Sequence, residues 1–112
     1  MKRIIEKFIA VYKLKDFSVS VAIIGDQKMR ELNFLYRGYD RSTDVLSFTE
    51  LREIIIDIKA IERQAKELGK SRDAELFFIL VHGLLHLIGY NDNTENKRLK
   101  MMVRGEDFLR LL

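Results

Sequence analysis

The two histidines of the chain stand four residues apart, in a segment whose residue types could hold a metal ion. They are His82 and His86, in the run HGLLHLIGYND at residues 82–92, and they continue an apolar stretch that begins at Leu76. Such a stretch is typical of a buried helix, and residues four apart on a helix project from one face, one turn from each other. Two imidazoles at this spacing have the geometry of metal ligands.

Gly89 provides a turn after this helix, because glycine adopts a left-handed backbone without penalty. The turn carries Asp92 back toward the histidines, ten residues after the first of them. Two nitrogens and a carboxylate oxygen leave a fourth position for water, which is typical of a catalytic zinc. A single histidine on an apolar face is usually an ordinary core residue, but two unpaired imidazoles would be costly to bury. We therefore predict one zinc per chain, bound by His82, His86 and Asp92.

The residue after the first histidine separates two classes of metal-dependent hydrolase. In zinc peptidases with the H-E-x-x-H sequence, that residue is a glutamate that acts as the general base. In this chain it is Gly83. A zinc peptidase of that type is therefore not expected.

The composition indicates one small domain without thiol chemistry. The chain has 112 residues, enough to bury a core, and it has no cysteine, which fits a reducing cytoplasm and excludes cysteine-based zinc sites. Its net charge of +3 permits an anionic partner without requiring one. The apolar run at residues 76–88 is too short for a membrane span. We expect a cytoplasmic protein with one domain, residues 1–112, and no membrane partner.

The elements that must position these residues follow from hydrophobic periodicity. Apolar spacing predicts helices near residues 4–12, 26–36, 58–68 and 71–88 and from about 95, and strands at 17–23, 43–48 and 54–58. Asp26 and Ser71 are predicted N-caps of their helices. This order predicts an α+β fold, in which helices cover a small mixed sheet of three to four strands. The metal-binding helix is expected to be the central buried one.

The last helix places one carboxylate on its predicted apolar side. That side is formed by Leu99, Met102, Val103 and Leu109, and Glu106 follows Val103 by three residues. A carboxylate there either points at the metal site and supports a ligand or forms a structural ion pair, and the sequence leaves both possibilities open. The lysines and arginines of the last two helices are expected on solvated faces.

Two motifs of this sequence resemble those of a known family, the YbeY endoribonucleases or ribosomal RNA maturation factors. Residues 82–92 are similar to the family pattern H-G-x-L-H-L-x-G-Y-D-H. The pattern N-x-x-Y-R-x-x-D-x-x-T-D-V-L-S-F-P is matched by Asn33, Tyr36, Arg37, Asp40, Thr43, Asp44, Val45, Leu46, Ser47 and Phe48. The resemblance, over about residues 17–108, implies a zinc-dependent, single-strand-specific endoribonuclease in which a metal-activated water attacks the phosphodiester. It also implies a role in ribosomal RNA maturation and ribosome quality control.

The second motif suggests roles for three residues. Arg37 is the candidate catalytic residue, because a guanidinium binds phosphate oxygens in a bidentate way; outside the motif it would be read as an ordinary loop arginine. Asp44 and Ser47 belong to a strand expected beside the metal helix, and each either supports a metal ligand or serves as a turn cap or ordinary strand residue. The expected partners are single-stranded RNA, specifically ribosomal RNA, and the small ribosomal subunit or its proteins, with no DNA.

The chain departs from the family pattern at the third metal ligand. The family has a histidine where this chain has Asp92, and an aspartate where it has Asn91. A carboxylate oxygen also binds zinc, but its charge weakens the metal as a Lewis acid and raises the pKa of a bound water. The alternative function is therefore a catalytically weak RNA- or ribosome-binding assembly factor with a structural metal.

Overall fold

The computed structural model describes residues 1–112 as five helices and three strands. In chain order these are α1 Lys2–Val11, β1 Ser20–Ile24, α2 Asp26–Arg37, β2 Val45–Phe48, β3 Glu53–Asp57, α3 Ile58–Leu68, α4 Arg72–Leu87 and α5 Glu95–Leu109. The predicted order of elements is confirmed. None of the helices combines the length and the apolar character needed to cross a membrane.

The sheet is mixed and has the strand order β1-β3-β2. β1 runs parallel to the central strand β3, and β2 runs antiparallel to it. Because side chains alternate along a strand, Ile54 and Ile56 face the main core on one side of the sheet. Ile55 faces the other side, where it packs with Met29 of α2 and Leu46 of β2. Helices cover both faces, which explains why three consecutive isoleucines are buried.

The histidine-bearing helix α4 is the central helix of the fold, as predicted. It contacts strands β2 and β3 on one side and helices α3 and α5 on the others. Leu80, Leu84 and Leu85 are fully buried in the main core. The helix begins at the predicted cap, since the Ser71 hydroxyl accepts a hydrogen bond from the Ala74 amide at 3.1 Å. An apolar sequence on nearly every side of α4 is the consequence of this position.

Helix α5 packs on α4 through a different face from the predicted one. Its buried residues are Met101, Gly105 and Phe108, whereas Val103 is more than half exposed. Gly105 has no side chain, so α5 meets the core side chains of α4 at this position. Glu106, the next residue, is turned about 100° around the helix and is exposed. The prediction that Glu106 lies on the apolar side of α5 is therefore wrong.

A buried carboxylate links the sheet to α3. The Asp57 side chain is fully buried and caps α3, because its Oδ1 accepts hydrogen bonds from two helix amides at 3.0 and 3.4 Å. Burial, reinforced by the neighbouring Asp26 carboxylate, raises the pKa of Asp57 to about 6. Asp26 forms a bidentate ion pair with Arg63 at 2.7 and 2.9 Å. Asp26 is the first residue of α2 and Gly25 is the N-cap, so the predicted cap is off by one residue.

Candidate metal centre

His82, His86 and Asp92 meet at the carboxyl end of α4. Nε2 of His82 lies 3.3 Å from Oδ2 of Asp92, and Nε2 of His86 lies 3.6 Å from the same oxygen. The two imidazole rings are nearly perpendicular, with centroids 4.9 Å apart. One ligand atom from each residue lies within 4.8 Å of the other two. The structure thus brings the three residues singled out in the sequence to one point.

The turn after α4 determines where Asp92 lies. The helix ends at Leu87, and Gly89 has a φ of 108°, a backbone conformation that strains any residue with a side chain. The Gly89 amide donates to the His86 carbonyl and the Tyr90 amide donates to the Leu85 carbonyl, both at 3.1 Å. These bonds satisfy carbonyls of the last helical turn while the chain reverses. Asp92 is thereby held beside the two rings.

The separations between Asp92 and the two imidazoles match those of a zinc site. Nitrogen and oxygen ligands lie about 2.0–2.2 Å from zinc, so adjacent ligand atoms of a tetrahedral site are roughly 3.3–3.6 Å apart. The two distances from Asp92 to the imidazoles, 3.3 and 3.6 Å, fall in this range. The exposed fractions of the side chains are 17% for His82, 27% for His86 and 40% for Asp92. Three protein ligands with one open side are the arrangement of a catalytic zinc site.

The surroundings of His82 favour its neutral imidazole, which is the form that binds metals. Burial lowers the pKa of His82 below its ordinary value, and the neighbouring His86 adds to this effect. The Asp92 carboxylate opposes the shift without reversing it. A lowered pKa favours the neutral imidazole, and only the neutral ring has a free lone pair for a metal.

The three residues open into a polar cavity of about 610 Å³. Its walls come from the end of α2, from β2, from α4 and from the start of α5. Besides the triad, the polar residues of the lining are Arg37, Thr43, Asp44, Ser47, Thr49 and Arg98. A larger cavity of about 870 Å³, between α1 and α5, contains neither histidine. The chemistry of the lining rather than the volume therefore identifies the candidate site.

Arg37 is the last residue of α2, and it lines this cavity. Its guanidinium forms no ion pair and stacks on the Tyr39 ring, 5.2 Å from the ring centroid. The buried Asn33 braces the following loop, because its side-chain amide donates to the Arg41 carbonyl at 2.8 Å. An arginine in the cavity lining whose guanidinium has no carboxylate partner is available to bind a phosphate group.

Asp44 lies in the cavity wall but is hydrogen-bonded away from the imidazoles. Its two carboxylate oxygens accept from the Gln64 side-chain amide at 3.2 Å and from the Thr43 hydroxyl at 3.5 Å. It acts on His82 only through its charge, which favours the protonated ring. Asp44 is therefore placed to act on the site through its negative charge rather than to hold a metal ligand by a hydrogen bond.

Ser47 lies where Gly83 of α4 packs tightly against the sheet. A Cβ added at Gly83 would be 3.2 Å from Ser47 Oγ and 3.1 Å from Ile54 Cδ1. Position 83 therefore faces the sheet, and a glutamate at that position would have no room to reach the metal centre. This geometry agrees with the expectation that the protein is not an H-E-x-x-H peptidase. Glu106 does not line the cavity.

Arg98 is a cavity residue that sequence analysis placed on a solvated face. It lies in the first turn of α5 and is 45% exposed, yet its side chain lines the same cavity as Arg37 and the triad. Its guanidinium pairs with Glu95 and contacts Met102 Sδ at 3.2 Å. The available signal was the short distance along the chain, since Arg98 follows Asp92 by only six residues.

Comparison with known proteins gives consistent matches. The family model described as Endoribonuclease YbeY matches residues 1–112. The chain is 38% identical to the endoribonuclease YbeY of Heliobacterium modesticaldum, with 88% of this chain and 72% of the relative covered. It is 33% identical to that of Sulfurihydrogenibium sp., with 96% and 77% covered. The solution structure of TM1509 from Thermotoga maritima is similar with a TM-score of 0.68 at 28% identity, over 96% of this chain and 79% of that one.

Proposed function

Since this chain belongs to the endoribonuclease YbeY family, as its two motifs predicted, we propose that it is a zinc-dependent endoribonuclease that hydrolyses single-stranded RNA. Membership of an endoribonuclease family indicates a hydrolase that acts on RNA. The observation that supports metal dependence is the convergence of His82, His86 and Asp92 in a cavity that also contains Arg37. Residues 1–112 would act as a single hydrolase domain.

We assign separate tasks to the residues around the cavity. His82, His86 and Asp92 would hold one zinc, which when bound would supply Lewis-acid charge and lower the pKa of a water at its open position. Arg37 would bind the oxygens of the scissile phosphate, where negative charge increases as the bond breaks. Its lack of an ion pair means that no protein carboxylate must first be displaced. Asp44 would keep a fixed charge beside His82.

We place this activity in ribosomal RNA maturation and ribosome quality control in the cytoplasm, because the family resemblance implies that role. Ribosomal RNA would then be the substrate, and the small ribosomal subunit or one of its proteins would be the partner. The net charge of +3 is compatible with an anionic substrate. We do not propose DNA as a substrate.

A catalytically weak RNA-binding assembly factor with a structural metal is the second candidate. The observation that favours it is Asp92, whose carboxylate lies within 3.6 Å of both imidazoles and would add a negative charge to the metal centre. This charge weakens the metal as a Lewis acid. The two candidates differ in turnover rather than in RNA binding.

Cleavage of labelled single-stranded RNA with and without a chelator tests the proposal. We expect cleavage that the chelator abolishes and zinc restores, and about one zinc per chain by metal analysis of the untreated protein. RNA binding without metal-dependent cleavage would instead support the assembly factor. A His82→Ala variant that keeps stoichiometric zinc would contradict the ligand set.

Two arginines next to the cavity provide a matched pair for the phosphate-binding role. Arg37 and Arg41 both stack on the Tyr39 ring, at 5.2 and 5.0 Å, but only Arg37 lines the cavity. Arg37→Ala should therefore lower kcat/KM at least about 100-fold while zinc content stays unchanged. Arg41→Ala should leave cleavage close to that of the unmodified protein. Equal losses in the two variants would refute a specific role for Arg37.

A further inference from the structure

Arg98 is a second arginine in the lining of the cavity that holds the triad and Arg37. It reaches this cavity from α5, whereas Arg37 reaches it from α2, so the two arginines come from separate elements that flank α4. The contact between Arg98 Nη1 and Met102 Sδ, at 3.2 Å, holds the side chain along the helix face that borders the cavity. Such a placement suits a residue that contacts a bound chain rather than one that only faces solvent.

The Arg98 guanidinium is paired with the carboxylate of Glu95. The pair is bidentate, with Arg98 Nη2 2.6 Å from Glu95 Oε1 and Nε 3.1 Å from Oε2. The two non-bridging oxygens of a phosphodiester present nearly the same fork of acceptors as a carboxylate. Glu95 is 70% exposed, and an exposed pair between residues three apart on a helix contributes little to stability. A phosphate in the cavity could therefore replace this carboxylate at small cost.

We propose that Arg98 binds a phosphate of the RNA strand adjacent to the scissile phosphate, and that Glu95 competes with that phosphate for the guanidinium. This inference rests on the proposed nuclease function. It adds a subsite that gives longer RNA strands an affinity that a dinucleotide, with its single phosphodiester, cannot obtain. Arg98 is then a substrate-binding residue whose effect appears in KM.

Arg110, the C-cap residue of α5, provides the matched control. It forms a pair with Asp107 at the same spacing as Arg98 and Glu95, with a distance of 3.0 Å, and it lines neither of the two large cavities. Arg98→Ala and Arg110→Ala thus remove the same charge and the same kind of helix pair. Arg98→Lys keeps the charge but loses the fork, and Glu95→Gln removes the competing carboxylate.

The experiment measures steady-state cleavage of a hexanucleotide and of a dinucleotide by the zinc-loaded variants. With the hexanucleotide, Arg98→Ala should raise KM roughly tenfold, as expected for the loss of one charge-assisted contact, with kcat nearly unchanged. The slope of log KM against log salt should fall by about 0.7. Arg98→Lys should give a KM between those of the unmodified protein and Arg98→Ala. Glu95→Gln should lower KM. With the dinucleotide, Arg98→Ala should have no effect.

Failure of this inference is distinguishable from failure of the nuclease function. If the unmodified protein cleaves the hexanucleotide and Arg98→Ala matches Arg110→Ala, the subsite is refuted while the nuclease stands. If Arg98→Ala lowers kcat equally for both substrates, Arg98 acts on the scissile phosphate and the adjacent subsite is again refuted. Absence of cleavage by the unmodified protein refutes the proposed nuclease function, and the subsite that rests on it falls too.

Discussion

Replacing Gly83 by alanine tests how closely α4 packs on the sheet beneath the metal centre. The new Cβ would lie 3.1 and 3.3 Å from two carbons of Ile54 and 3.2 Å from Ser47 Oγ. Carbon atoms in ordinary contact lie about 3.5–4.0 Å apart. Ile54 is fully buried at the centre of the sheet, so it can move only if its neighbours move as well. The substitution therefore overpacks the core.

Two opposing contributions determine the change in the free energy of unfolding. Alanine is favoured over glycine in a helix interior by about 1 kcal/mol. Overpacking a well-filled core typically costs about 1–3 kcal/mol. We therefore expect Gly83→Ala to lower the free energy of unfolding by about 1 kcal/mol. Equilibrium denaturation in guanidinium chloride, followed by circular dichroism on metal-free protein, measures this difference.

Gly105 in the neighbouring helix gives the control. A Cβ at this position would lie 3.7 and 3.9 Å from side chains of α4, which is ordinary contact. Gly105→Ala should therefore gain the helix preference and raise the free energy of unfolding by about 0.5–1 kcal/mol. The two variants make the same chemical change and differ in the free space around it. A Gly83→Ala variant as stable as Gly105→Ala would refute the close contact between α4 and the sheet.

Three further predictions concern single carboxylates. The raised pKa of Asp57, about 6, means that its stabilising effect is present below the ordinary value of 3.8 and is lost as the pH rises through 6. Asp57→Asn keeps a helix cap without the charge, so urea denaturation of the metal-free proteins should show it more stable than wild type by about 3 kcal/mol at pH 7.5 and equal at pH 3.5. Asp92→Ala should weaken zinc binding, measured by titration against a competing chelator, by more than about 100-fold, because even the partners of metal ligands contribute 10–100-fold. Glu106→Gln should leave RNA cleavage unchanged and the free energy of unfolding within about 0.5 kcal/mol, since Glu106 is exposed and outside the cavity.

The meeting of the three residues at one point could be predicted because it is encoded locally. His82 and His86 share one helix, and Asp92 follows after a single turn, so helical spacing and one glycine determine the arrangement. The central position of α4 could be predicted for a related reason. A helix that is apolar on nearly every side is stable only where other elements surround it.

Strand ends and the phase of α5 could not be predicted in this way, because both depend on partners distant in sequence. The alternation that begins at Phe17 predicts a longer first strand, but β3 has only five residues, and its pairing with β1 begins at Ser20. In α5, the apolar spacing of Leu99 and Val103 predicts that their side of the helix is buried. The helix instead packs on α4 through Gly105, which permits a close approach, and Leu99 and Val103 are exposed. Arg98 was not predicted for a related reason: its short distance from Asp92 along the chain brings it to the cavity only because α5 packs on α4.

The metal ligands are positioned by local structure, whereas the arginines of the cavity are positioned by tertiary packing, so metal binding and catalysis would respond differently to changes in the fold. All three candidate ligands lie within residues 82–92, whereas the two guanidiniums reach the cavity from α2 and α5 through tertiary packing. A change that loosens α2 or α5 would therefore leave the ligand set intact while moving positive charge away from the place that we propose for the phosphate. Asp92 makes that charge more important, because a carboxylate ligand reduces the net positive charge that a metal centre offers to phosphoryl oxygens. Stabilisation of the transition state would then depend on Arg37 to a greater extent than in a centre with three neutral imidazoles.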